Sequence, residues 1–142
     1  MTSADAPLAT MFLDANVLIS AAWKSGSEIA LVWTMEGVRL ITSNYVMGEV
    51  QRNLHLVDQI ARLRVLMRTV QVVSFEKLIE IPETMALPEK DRPVLAAAVQ
   101  AGADHLVSGD KKHFGPWYGR TIRGVRITAP TGLLTVLRFR LP

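Results

Sequence analysis

Residues Asp91–Phe114 read DRPVLAAAVQAGADHLVSGDKKHF, and this stretch decides the fold. Pro93 is tolerated without a lost hydrogen bond only in the first turn of a helix, which predicts a helix opening at about Asp91. Val94, Leu95, Ala98 and Val99 then recur at helical spacing, and the alanines keep the packed face thin. Gly102 suits the turn after that helix. His105-Leu-Val-Ser108 is short, apolar and β-prone, as a buried parallel strand requires. It runs into Gly109-Asp110, so a carboxylate stands where the strand ends. In open α/β sheets ligands bind at the carboxyl ends of strands.

The same alternation extends outward. Residues 10–14 predict a first strand with Asp14 at its end, and Ala15–Ile19 lead into a helix. Ser27 is expected to cap a helix carrying Ile29, Leu31, Val32 and Met35, which Gly37 stops. Val38–Thr42 predict a second strand. The next helix is expected to turn Tyr45, Val46, Val50 and Leu54 inward, and Glu49 falls on that inner face. Leu56–Met67 predict an amphipathic helix with Arg62, Arg64 and Arg68 outside, and Val70–Phe75 a third strand. Glu76–Leu87 is a connection broken by Pro82 and Pro88. Past the central stretch come a Gly115–Gly119 loop, a fifth strand within Thr121–Thr128 and a helix opened by Pro130.

Strands alternating with helices argue a mainly parallel sheet of about five strands with helices on both faces. The 142 residues are expected to form a single domain, residues 1–142, with residues 1–9 as a flexible tail. Cysteine is absent, which excludes disulfides and thiolate metal sites and fits a reducing cytoplasm. The first ten residues lack a signal-peptide pattern, and no apolar run is long enough to predict a membrane span. The net charge is +3, and it is uneven. Lys111, Lys112, Arg120, Arg123, Arg126, Arg138 and Arg140 follow Asp110 with no acid among them, as a phosphate-backbone partner favours. A solvated basic surface has the same pattern.

Asp14, Glu49, Asp91 and Asp110 are the candidate site. A parallel sheet can gather them at one edge, where they would repel unless protonated or bound to a cation. Oxygen donors without Cys or paired His suit Mg²⁺ or Mn²⁺ rather than zinc. Such a site can polarise a phosphodiester, activate water and stabilise a leaving oxygen. Each acid also has a plain structural role available: Asp14 and Asp91 as helix caps, Asp110 in a turn, Glu49 snorkelling to water or paired with an arginine. Asn16 and Ser108 flank the acids as supporting groups. Asp104 reads as a turn cap, and His55, His105 and His113 as structural or surface residues. Trp117 and Tyr118 suit either base stacking or anchoring of their loop.

FLDANVLISA at Phe12–Ala21, VMGEV around Glu49, the Asp91–Phe114 stretch and GVRITAP at Gly124–Pro130 together resemble the PIN-domain family, closest to its VapC-like branch. The resemblance implies a three-layer α/β/α sandwich and a Mg²⁺- or Mn²⁺-dependent ribonuclease. Its acidic quartet falls on Asp14, Glu49, Asp91 and Asp110, with Asn16 and Ser108 as polar companions. Lys111, Lys112 and Arg120 are expected to hold the RNA backbone. The family usually has Thr at the position of Ser108, and many members carry an acid where His113 stands, which leaves one metal or two open. A homodimer and a small antitoxin partner are further expectations of this resemblance. Two rival readings share the fold: a PIN module that binds RNA or protein without cutting, and a nuclease of RNA processing or decay outside any toxin–antitoxin pair. A phosphatase or receiver-like domain would need a nucleophilic Asp and a partner Lys in a different layout.

Overall fold

Strands β1 (Ala9–Leu13), β2 (Val38–Ser43), β3 (Val70–Val73), β4 (His105–Val107), β5 (Thr121–Ile122) and β6 (Val125–Thr128) form one sheet in the order β3-β2-β1-β4-β6-β5. All pairings are parallel except β5 with β6. The structure, a computed structural model, describes the backbone of residues 9–140 and the side chains of residues 9–135. The expected tail lies outside the described residues, apart from Ala9, which opens β1.

Among the described residues five α-helices accompany the sheet: α1 (Ala15–Trp23), α2 (Asn44–Asn53), α3 (Val57–Met67), α4 (Arg92–Gln100) and α5 (Pro130–Arg140). The chain runs outward from β1 through β2 to β3 and then crosses back to β4; parallel connections of this kind are right-handed as a rule. By that rule the reversal of direction sends α4 to the face opposite α1, as three layers require. Phe12, Leu13, Ile41, Leu106 and Ile127 are fully buried at the centre of the sheet, with Leu18, Val46 and Leu95 packing from the helices.

Burial in α4 is wider than a thin stripe, because Val94–Ala98 are all buried. Three consecutive alanines allow this, since they let neighbouring backbones approach from several sides. Gly102 has a φ of 70° directly after the helix, the left-handed conformation that glycine adopts without steric cost.

Several local expectations are corrected. Glu28–Thr34 is a 3-10 stretch, not an α-helix, and Ser27 makes no cap bond; its hydroxyl donates to the Ser20 carbonyl. Tyr45 points outward at 48% exposure, and its hydroxyl donates to the Lys90 carbonyl. Arg62 is half-buried and donates to the carbonyls of Ala22 and Trp23, tying α3 to the end of α1. The third strand stops at Val73. The expected fifth strand is a hairpin: Arg123 (φ 47°) and Gly124 (φ 87°) form a two-residue turn between β5 and β6. Two successive positive φ values match the twist of paired strands, so the chain reverses there and adds an antiparallel edge.

The irregular segment before α4 is held by two side chains. Gln100 accepts the Ile79 amide and donates to the Lys77 carbonyl. Arg92 donates to the carbonyls of Ile81, Pro82 and Met85, satisfying backbone acceptors that a chain without helix or strand leaves open. Ile81, Met85 and Leu87 are thereby kept buried over the core.

Candidate active site

Strand β1 leads one way to β2, and β4 lies on its other side, so the sheet order reverses between β1 and β4. A crevice forms at the carboxyl ends of strands at such a point. Leu13 is in register with Val107, and the Asp14 amide donates to the Val107 carbonyl. Asp14 and Ser108, the next residues along each strand, consequently meet. Ser108 Oγ donates to Asp14 Oδ2 at 2.8 Å.

Asn16 completes this knot. Its Nδ2 donates to Asp14 Oδ2 and Ser108 Oγ, both at 3.3 Å, and its Oδ1 accepts the Gly109 amide at 2.6 Å. Asp14 Oδ1 accepts the Ala15 amide, so this carboxylate also caps α1. Tyr118 donates its hydroxyl to the Ser108 carbonyl at 2.7 Å. The loop after β4 is therefore fastened to the same strand end, and Tyr118 serves as an anchor. Burial raises the Tyr118 phenol, with the charges of Asp110 and Asp14 adding to the effect.

Asp14 is 4% exposed, and burial pushes its carboxyl up to about 6. The bonds from Ser108 and Ala15 oppose that rise, while the charges of Glu49 and Asp91 add to it. Burial likewise raises Asp91, against the opposing pull of His113 and Lys90. Burial is the larger cause for both acids, and repulsion among the clustered carboxylates adds to it.

Asp14, Glu49, Asp91 and Asp110 line one cleft of about 310 Å³. Asn16, Ile19, Asn53 and Lys90 complete it. A larger cleft of about 560 Å³ between α2 and α3 is lined by Met47, Leu54 and Leu63 and holds no carboxylate. Chemistry rather than size marks the smaller cleft.

Asp91 sits immediately before α4 but makes no capping bond. The plain reading of Asp91 as a helix cap therefore fails. Its Oδ2 is buried without a hydrogen-bond partner, in a residue only 8% exposed. An unsatisfied buried carboxylate oxygen is costly and calls for a cation. Asp110 keeps part of its turn role, since Oδ1 accepts the His113 amide. Its Oδ2 lies 2.9 Å from His113 Nδ1, which in turn lies 3.0 Å from Asp91 Oδ2.

His113 is thus no surface residue. Ligand atoms of Asp91, Asp110 and His113 all fall within 4.8 Å of one another. The sequence signal was the three-residue interval from Asp110 to His113, which one turn of chain closes. Lys90 was also missed as a lining residue. Lys111, Lys112 and Arg120 are exposed on the loop beyond Asp110 and do not line the cleft, and Arg120 stacks over Trp117 at 5.7 Å. The side chains of Arg138 and Arg140 lie outside the described residues. Asp104 accepts the Thr10 amide at the start of β1, and His105 pairs with Thr128 Oγ1, so both are structural.

The PIN-domain family profile matches residues 10–112 of the chain. No curated protein sequence matches it. In fold it is similar to a chain of the crystal structure of VapBC2 from Rickettsia felis bound to a DNA fragment from their promoter. That likeness has a TM-score of 0.57 at 14% identity, over 84% of this chain and 98% of that chain.

Proposed function

The chain belongs to the PIN-domain family, and from that premise we propose that it is a divalent-cation-dependent endoribonuclease, the toxin of a toxin–antitoxin pair. The observation that carries this reading is the convergence of Asp14, Glu49, Asp91 and Asp110 on one cleft, with a buried, unpartnered oxygen on Asp91. A bound Mg²⁺ or Mn²⁺ would supply charge to polarise a phosphodiester and to acidify water at neutral pH. The four acids would hold it, and the oxygen-rich donor set fits such a cation.

The chain's own residues supply the rest. Ser108 and Asn16 fix the Asp14 carboxylate in one orientation, so that it need not reorganise when a cation or substrate arrives. Lys90, on the cleft wall, is suited to a phosphate oxygen. Lys111, Lys112 and Arg120 are exposed beyond it and suit neighbouring phosphates of a single strand. The Gly109 amide and Asp110 amide are held by Asn16 and Ser108, which keeps the loop carrying Asp110 and His113 in register with β1.

The partner half of the reading extends from the fold likeness to VapBC2. That likeness supports a small antitoxin protein as inhibitor, while the homodimer and the cytoplasm remain expectations of the family resemblance and of the cysteine-free composition. Among the described residues no helix is long and apolar enough to cross a membrane. The test is cleavage of a mixed RNA substrate by purified protein with Mn²⁺, Mg²⁺ or chelator, beside Asp14→Asn. Metal-dependent cutting that the variant lacks is the expected result. Undiminished cutting by a folded Asp14→Asn variant overturns the assignment.

A further inference from the structure

His113 Nδ1 stands 2.9 Å from Asp110 Oδ2 and 3.0 Å from Asp91 Oδ2, yet neither contact has hydrogen-bond geometry. Asp91 Oδ2 and His113 Nδ1 are both buried atoms without a partner. Electronegative atoms pressed together with no proton aligned between them repel, unless a shared cation sits among them. The spacing suits one. Neighbouring ligands of a cation bound octahedrally at about 2.1 Å stand about 3.0 Å apart.

We propose that His113 is a cation ligand alongside Asp91 and Asp110, and that this mixed imidazole and carboxylate cluster selects transition-metal dications such as Mn²⁺ over Mg²⁺. Mg²⁺ favours oxygen donors and gives up water reluctantly, whereas imidazole nitrogen favours first-row transition metals. Asp14, held by Ser108 and Asn16, lines the same cleft as Asp91 and Asp110 and offers only oxygen. Within the cluster His113 is therefore the nitrogen donor and the discriminating group. The inference rests on the cation-dependent reading of the cleft.

The test uses the metal-free full chain, titrated with Mn²⁺ and with Mg²⁺ by calorimetry and thermal shift. Electron spin-echo spectroscopy of the Mn²⁺ complex reports directly on nitrogen coordination. Expected for the wild type is tighter binding of Mn²⁺ than Mg²⁺, with an imidazole nitrogen signal. His113→Ala should lose that signal and weaken Mn²⁺ by about tenfold or more, the scale on which even the supporting partners of metal ligands act. Its Mg²⁺ affinity should change little. His113→Asp, which keeps a ligand but makes it oxygen, should bind both ions and lose the preference, and so separates ligand loss from misfolding. Were His113 instead a protonated counter-charge, removing it would leave or raise the affinity for both ions and Mn²⁺ would show no nitrogen; that result overturns the proposal but spares the cation-dependent cleft. Absence of binding by either ion to folded wild-type protein overturns both.

Discussion

Ser108 Oγ donates to Asp14 Oδ2 at 2.8 Å, joining two residues 94 positions apart across the β1–β4 seam. The bond exists because Leu13 and Val107 are in register, so the residue after each strand falls beside its counterpart. It stabilises the charged form of a buried acid, against the burial that raises it. Ser108→Ala should therefore lower cation affinity or cleavage by about 10–100-fold, as lost supporting bonds do. Ser108→Thr, which keeps the hydroxyl, should retain most activity. Equal activity in the alanine variant would remove Ser108 from the site.

Asp14 gives a pH prediction for metal-free protein. Its folded pKa of about 6 lies above the ordinary 3.8, so the native state holds this proton more tightly than the unfolded chain. Its contribution to stability is then fully present below pH 3.8 and is lost as pH rises through about 6. The loss amounts to about 3 kcal/mol at about 1.4 kcal/mol per unit. In chelator, Asp14→Asn should melt above the wild type at pH 7 by several degrees, and the gap should close toward pH 4. Melting curves across that range are the check, and parallel pH profiles would contradict the buried, uncompensated acid.

Arg92 holds the segment between β3 and α4 through the carbonyls of Ile81, Pro82 and Met85. Arg92→Ala removes a charged donor from all of these acceptors and should destabilise the fold by roughly 2–4 kcal/mol, given about 1.5–3 for one charged hydrogen bond and imperfect additivity. Urea denaturation measures the loss. Limited proteolysis should find new cuts between residues 76 and 88.

Tyr118→Phe deletes only the hydroxyl that donates to the Ser108 carbonyl. Stability should fall by about 1 kcal/mol. Cleavage should fall severalfold through kcat, because Ser108 would be less firmly held behind Asp14. Kinetics alongside a melting curve separate the two effects; an unchanged kcat would make Tyr118 a loop anchor alone.

Much of the frame was legible from local pattern. Pro93, the apolar run at 94–99 and Gly102 announced α4, and the β-prone residues before Gly109 announced β4. The inward position of Glu49 beside Val46 and Val50 follows from helical period alone, and Glu49 does reach the cleft. Turn chemistry was harder. Arg123-Gly124 is an unusual pair for a hairpin, since arginine rarely accepts a positive φ, and the run 121–128 therefore reads as one strand. The 3-10 stretch at Glu28–Thr34 has helical spacing but not the bonds of an α-helix, a difference that spacing cannot express.

Local pattern alone set the alternation of strands and helices, and the placing of Asp14 and Asp110 just past strand ends. Those follow from periodicity, proline and glycine, which act over a few residues. Which plain roles the acids also keep is fixed by the packing of distant segments. Asp14 does cap its helix, Asp110 does brace its turn, and Asp91 does neither cap nor pair by hydrogen bond. That packing alone brought His113 between Asp91 and Asp110. The physical reason is that these contacts depend on strand register and on the crossover that returns the chain from β3 to β4, which join residues far apart in sequence, where no local preference reaches.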